Sequence, residues 1–192
     1  MADIALFHSV LGLRPGVQDA AARLRAAGHT VATVDQYDGR VFDDYDEAAG
    51  FTATIGYPAL MQRALEGVEG LPDGFVAIGF SNGGGMAEYV ATQRRVGGVV
   101  LASGTLPLAM IEVHAWPADT PVQIHYAVDD PNRRQEWIDS LVASVEAAGA
   151  PVEAFDYPGR GHLFTDASLP EEYDRSAAEL LWKRVLAFCA ER

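Results

Sequence analysis

The sequence predicts one α/β domain spanning residues 1–192, built as a parallel sheet covered by helices on both sides. Three observations predict it. Short apolar runs rich in β-branched residues alternate along the chain with stretches of helical period, the signature of repeated strand-helix-strand units. A composition of 49% hydrophobic and 21% charged residues over 192 residues suits a single buried core. No internal repeat, linker or low-complexity tract divides the chain.

Taken in order, Ile4 to Phe7 reads as the first strand, followed by a helix from about Val17 to Ala27 that Gly28 would terminate. Thr30 to Val34 is the second strand. Two helical stretches fall between Asp43 and Gly67, the second with Leu60, Met61, Ala64 and Leu65 at helical spacing. Phe75 to Phe80 is a continuous apolar run, which predicts a fully buried strand, with a helix from Met86 to Arg94 and a strand from Gly98 to Leu101 after it. Val122 to Val128, Trp137 to Ala148 and Val152 to Tyr157 repeat strand, helix, strand. The closing helix runs from about Ser176 to Glu191, where Leu180, Leu181, Val185, Phe188 and Cys189 share a face, so Cys189 is expected in the core. The loops Asp35 to Asp44 and Gly159 to Glu172 are long enough to shape a pocket. In such a sheet the active loops lie at the carboxyl ends of the strands.

The formal net charge of -13 repels phosphate backbones and anionic lipid, so neither nucleic acid nor a membrane surface is an expected partner. It also biases the protein against anionic substrates. The one cysteine has no partner for a disulfide and no CxxC or Cys/His companion for zinc, and no histidine pair has metal-ligand spacing. Met1-Ala2-Asp3 leads straight into a strand-like run without a secretory signal pattern. With no apolar run near the roughly 20 residues of a membrane span, the expected location is cytoplasmic.

Gly79-Phe80-Ser81-Asn82-Gly83 has the GxSxG spacing between a strand and a helix, the setting of a nucleophile elbow. Small residues two before and two after Ser81 let neighbouring backbone pass closely while the hydroxyl stays exposed. The N–H of Asn82, at the start of the following helix, is the first candidate donor to an oxyanion. A serine hydroxyl needs an imidazole to take its proton. His162, in the loop after the strand ending at Tyr157 and flanked by Gly159 and Gly161, is the candidate base. His8, at the end of the first strand, is its rival; His29, His114 and His125 are better explained as structural or solvated. Asp129 and Asp130 close the strand from Val122, which completes the chain order serine, acid, histidine. Asp130 precedes Pro131, so it also reads as a helix N-cap. Other readings of Ser81 stay open: a turn that holds phosphate without turnover, a protein-interaction module, or an acyl-serine passed to an acceptor other than water.

These residues resemble the dienelactone hydrolase family, and the likeness spans nearly the whole chain. Phe7-His8-Ser9-Val10-Leu11-Gly12-Leu13 looks like the family's first-strand loop, Val34-Asp35-Gln36-Tyr37-Asp38-Gly39 its PDLYxG segment, and Gly79 to Gly84 its GxCxGG elbow. Ala127-Val128-Asp129-Asp130 is similar to its GxxD, and Gly161-His162-Leu163-Phe164 to its histidine followed by an apolar pair. The resemblance implies an α/β-hydrolase fold, one doubly wound and mostly parallel sheet with no separate lid domain. It further implies cleavage of a small-molecule ester or lactone without a cofactor. By the same likeness Asp130 rather than Asp129 is the acid, and the N–H of Val10 is the second oxyanion donor. Three positions depart from the pattern. Ser81 stands where the best-known members carry cysteine, Ser9 where they carry a glutamate beside the nucleophile, and Asp166 where an arginine helps hold the carboxylate of dienelactone. Arg14 or Arg160 would have to replace that arginine, and each reads as simply as a solvated surface residue.

Overall fold

A computed structural model describes residues 1–192. Six strands, β1 (Asp3–Phe7), β2 (Thr30–Val34), β3 (Val76–Phe80), β4 (Gly98–Ala102), β5 (Val122–Ala127) and β6 (Val152–Tyr157), form one sheet in the order β2-β1-β3-β4-β5-β6. All five pairings are parallel, with Ala5 opposite Ala32 on one side and Ala77 on the other. After β2 the chain crosses back to the other side of β1. The strand order therefore reverses between β1 and β3, and ligands of such sheets bind at that crevice, beyond the carboxyl ends of the strands.

The helices are α1 (Pro15–Ala26), α2 (Tyr45–Ile55), α3 (Tyr57–Glu66), α4 (Asn82–Gln93), α5 (Gln135–Ala147) and α6 (Arg175–Ala190), with a 3-10 turn at Leu108–Ile111. Successive side chains of a strand point to opposite faces, so the alternation of Ile4 and Leu6 with Ala5 and Phe7 builds two cores. Ile4, Leu6, Ile78 and Val100 pack with α1 and α6. Ala5, Phe7, Ala77, Val99 and Ile124 pack with α3, α4 and α5. Local chemistry sets the helix ends. Pro15 opens α1, Asp44 accepts from the Glu47 N–H at 2.9 Å to cap α2, and Asp174 accepts from the Ala177 N–H at 3.0 Å to cap α6. No helix is long and apolar enough to cross a membrane.

The expected elements are all present, with three corrections. Helix α4 begins at Asn82, four residues before Met86, because Gly83 to Gly85 are helical despite their poor propensity. Leu180 is exposed, whereas Leu181, Val185, Phe188 and Cys189 are buried: the apolar stripe of α6 follows the i, i+4, i+7, i+8 spacing from Leu181 and leaves Leu180 beside it. Asp130 is not a helix cap, since α5 starts at Gln135 after a turn.

Candidate active site

The sharp turn after β3 is made by Ser81 itself, at φ 51° and ψ -118°, a conformation that costs a non-glycine residue roughly 1–3 kcal/mol. Its surroundings hold it there. The Ser81 N–H donates to Ala102 O at 2.8 Å, and its carbonyl accepts from Gly84 N–H at 2.8 Å. Two glycines permit this packing: a Cβ on Gly83 would collide with the Phe7 carbonyl at the end of β1, and one on Gly104 with the Ser81 carbonyl. Strain at Ser81 is thus offset by contacts from β1, β4 and the loop after β4.

From this position Ser81 Oγ donates to His162 Nε2 at 2.6 Å. His162 Nδ1 donates to Asp130 Oδ2 at 2.8 Å. The other carboxylate oxygen of Asp130 accepts from the Asn132 N–H at 2.8 Å, closing a turn that fixes its orientation, and its side chain is fully buried. With the Nδ1 proton committed to Asp130, Nε2 is left as the acceptor that faces Ser81. The structure brings together Ser81, His162 and Asp130, and leaves Asp129 exposed outside the chain of contacts. His8 is elsewhere: Nδ1 donates to Ser9 O at 2.7 Å and Nε2 accepts from the Gln36 N–H at 3.1 Å, so neither nitrogen is free to act as a base. Burial pushes its pKa down. His125 is buried against Tyr157, 2.8 Å from its hydroxyl, and burial, aided by Arg184, lowers it to about 3. His29 accepts from the Ala2 N–H at 3.2 Å, and His114 is exposed.

Val10 and Asn82 line the same cleft as Ser81, and the N–H of neither donates to a protein acceptor. The Val10 loop is well braced: Ser9 O accepts from Gly12 N–H at 3.1 Å and from His8, and Ser9 Oγ from the Leu11 N–H at 3.2 Å. Ser9 is therefore a turn-forming hydroxyl.

A strap that no sequence motif announces holds the His162 loop. Glu172 accepts from the Leu163 N–H at 2.6 Å with one oxygen and from the Tyr45 hydroxyl at 2.8 Å with the other. Tyr45 stands edge-on to His162 with ring centres 6.4 Å apart, and its phenol is pushed well above its usual range by burial and by Glu172. Leu163 and Phe164 are buried and anchor the loop from below. A second unforeseen group is Glu88 on α4, buried completely and accepting from the Leu106 N–H at 3.0 Å; burial raises its carboxyl pKa well above the ordinary 4.5. Only their residue types were visible in the sequence, because the partners lie far apart along the chain.

The cleft has a volume of about 480 Å³. Tyr45, Tyr57, Tyr126 and Trp137 supply aromatic wall, Thr52, Ser103 and Thr105 hydroxyls, and Asp46 the one carboxylate. Arg14 and Arg160 are absent from the lining. Arg14 is no solvated residue: it is buried and bound to Asp43 at 2.6 Å and Phe42 O at 2.7 Å, with Asp166 3.7 Å away. Asp166 faces this pair and Ser168 rather than the cleft.

Several solved structures share the fold. A dienelactone hydrolase-like promiscuous phosphotriesterase from metagenomic libraries aligns over 100% of this chain and 86% of its own, with a TM-score of 0.83 and 22% identity. A dienelactone hydrolase from Anabaena variabilis aligns over 98% and 85% (TM-score 0.69, 17% identity). An acetyl ester-xyloside bifunctional hydrolase from Caldicellulosiruptor lactoaceticus aligns over 98% and 84% (TM-score 0.67, 16% identity). No curated protein sequence matches the chain. The model of the dienelactone hydrolase family matches residues 2–192, the whole six-stranded sheet and all its loops, and the chain belongs to that family.

Proposed function

We propose that this hydrolase cleaves a carboxylic ester or lactone through an acyl-serine intermediate on Ser81. The observation that carries the reading is the 2.6 Å contact between Ser81 Oγ and His162 Nε2, with Asp130 on the far side of the ring. Ser81 Oγ attacks the substrate carbonyl as His162 takes its proton, and the Asp130 carboxylate stabilises the imidazolium. The carbonyl oxygen becomes an oxyanion that accepts from the N–H groups of Val10 and Asn82, each such donor being worth about 10² to 10³ in rate. Collapse of the tetrahedral intermediate expels the alcohol, which leaves with the proton from His162. Water then attacks the acyl-serine, giving its proton to His162, and the carboxylic acid departs as Ser81 regains a hydrogen.

Two observations weigh against a non-catalytic anion-binding turn. Such a turn has no use for a base on its hydroxyl, and the cleft offers an anion no cationic side chain. Transfer of the acyl group to an acceptor other than water is the same chemistry with a different second substrate; added alcohols or amines distinguish it by their acylated products. Hydrolysis of short p-nitrophenyl esters tests the proposal: wild type is expected to turn them over, and Ser81→Ala to lose at least about 10⁴ of kcat. Retained activity in Ser81→Ala would reject Ser81 as the nucleophile.

A further inference from the structure

We infer that the cleft selects uncharged substrates and discriminates against esters or lactones that carry a carboxylate; the inference rests on the hydrolase reading above and names the substrate class of that same site. No lysine or arginine lines the cleft, and its one charged side chain, Asp46, is acidic. Two arginines near its walls, Arg14 and Arg133, are already engaged. Arg14 is held by Asp43 and Phe42 O, and Arg133, stacked over the Tyr126 ring at 5.6 Å, is bound to Asp156 at 2.7 Å and to Gln135.

A substrate carboxylate entering this space would exchange water for an aromatic and hydroxyl wall. An anion that leaves water needs a paired charge or several strong donors, and without them its desolvation is uncompensated. The donors that the wall does offer, such as the Thr105 and Tyr126 hydroxyls and the Trp137 indole, are neutral, and Thr105 and Tyr126 are already within 3.2 Å of each other. The backbone N–H groups of Val10 and Asn82 are reserved for the charge that develops during reaction. A net charge of -13 adds long-range repulsion to this local deficit. Rings with polar edges and small hydroxyls instead suit an uncharged body bearing an ester and neutral polar groups.

Paired substrates of equal length test this. The p-nitrophenyl esters of hexanoic acid and of adipic acid (the monoester) are compared by kcat/KM after division by their hydroxide-catalysed rates. The neutral ester is expected to be favoured on the order of 100-fold. Ala53→Arg places a cation on an exposed position of the cleft wall, and Asp46→Asn removes the rim carboxylate. Each is expected to shrink the neutral-to-anionic ratio, Ala53→Arg by about tenfold or more. Equal turnover of the two esters, or a ratio that neither variant moves, overturns the inference. Should no ester be hydrolysed, the hydrolase reading fails by itself, and calorimetric binding of N-phenylbutyramide against N-phenylsuccinamic acid still reads the cleft. Binding of the neutral amide alone supports the selectivity; equal binding, or binding of neither, overturns it.

Discussion

Asp129 and Asp130 are adjacent, carry the same side chain and close the same strand, yet one is solvated and the other fully buried against His162. Spacing alone cannot separate two neighbours, since a one-residue shift past the end of a strand turns a side chain from the sheet to solvent; the preference for Asp130 came from family resemblance. We predict that Asp130→Asn lowers kcat by about 10³ to 10⁴, because an amide in its place holds the imidazole in the wrong tautomer. Asp129→Asn is expected to stay within about twofold of wild type. Steady-state kinetics of the two variants checks both outcomes. The same logic separates the histidines. His8 lies next to the site in sequence, but two backbone contacts consume its ring, and no one-dimensional pattern records that.

At the scale of elements, the strand and helix order was legible because apolar runs of five or six residues and helical stripes are strong local signals. The start of α4 was not. Three consecutive glycines signal a break when read by propensity, whereas here close backbone approach at Gly83 requires one within a helix. Gly104 makes the same point from the facing loop. Gly104→Ala is expected to destabilise the protein by about 1–3 kcal/mol in urea unfolding and to cost activity, since the added methyl presses on the Ser81 carbonyl. The strap from α2 through Glu172 to the His162 loop was invisible in the sequence for a different reason: its parts, Tyr45 and Glu172, are 127 residues apart. Tyr45→Phe is expected to lose about 1 kcal/mol of stability. Glu172→Ala, which also frees the Leu163 N–H, is expected to lower kcat about tenfold with little change in KM, the mark of a residue that positions the base without contacting substrate.

For the whole molecule, buried ionisable groups set opposing pH trends. His125 titrates near 3 in the fold and at its ordinary 6.5 when unfolded. Between those values the unfolded chain takes up a proton that the folded chain refuses, so stability falls as pH drops through this window, on the order of 5 kcal/mol for this group at the acid end. His8, also lowered by burial, acts in the same direction. Glu88 acts oppositely: the fold keeps its proton above 4.5, where the unfolded chain releases it, so its contribution is lost as pH rises from that value. Glu88→Gln keeps an acceptor for the Leu106 N–H without the titration. Urea midpoints are expected to show this variant more stable than wild type at pH 8 and little different at pH 4. Sequence could not anticipate these trends, because Glu88 sits among helix-forming residues where a solvated carboxylate is the ordinary expectation. Its depth follows from the strand order β2-β1-β3-β4-β5-β6, which makes α4 the helix over the centre of the sheet.

In the proposed mechanism Ser81 carries the covalent acyl group and His162 is its base. Labelling of the intact protein with a fluorophosphonate, followed by mass spectrometry of its peptides, reads both roles. One adduct is expected, on the peptide containing Ser81, absent in Ser81→Ala and slowed by at least about 10³ in His162→Ala. An adduct on another residue, or unchanged labelling of Ser81 without His162, would contradict that mechanism.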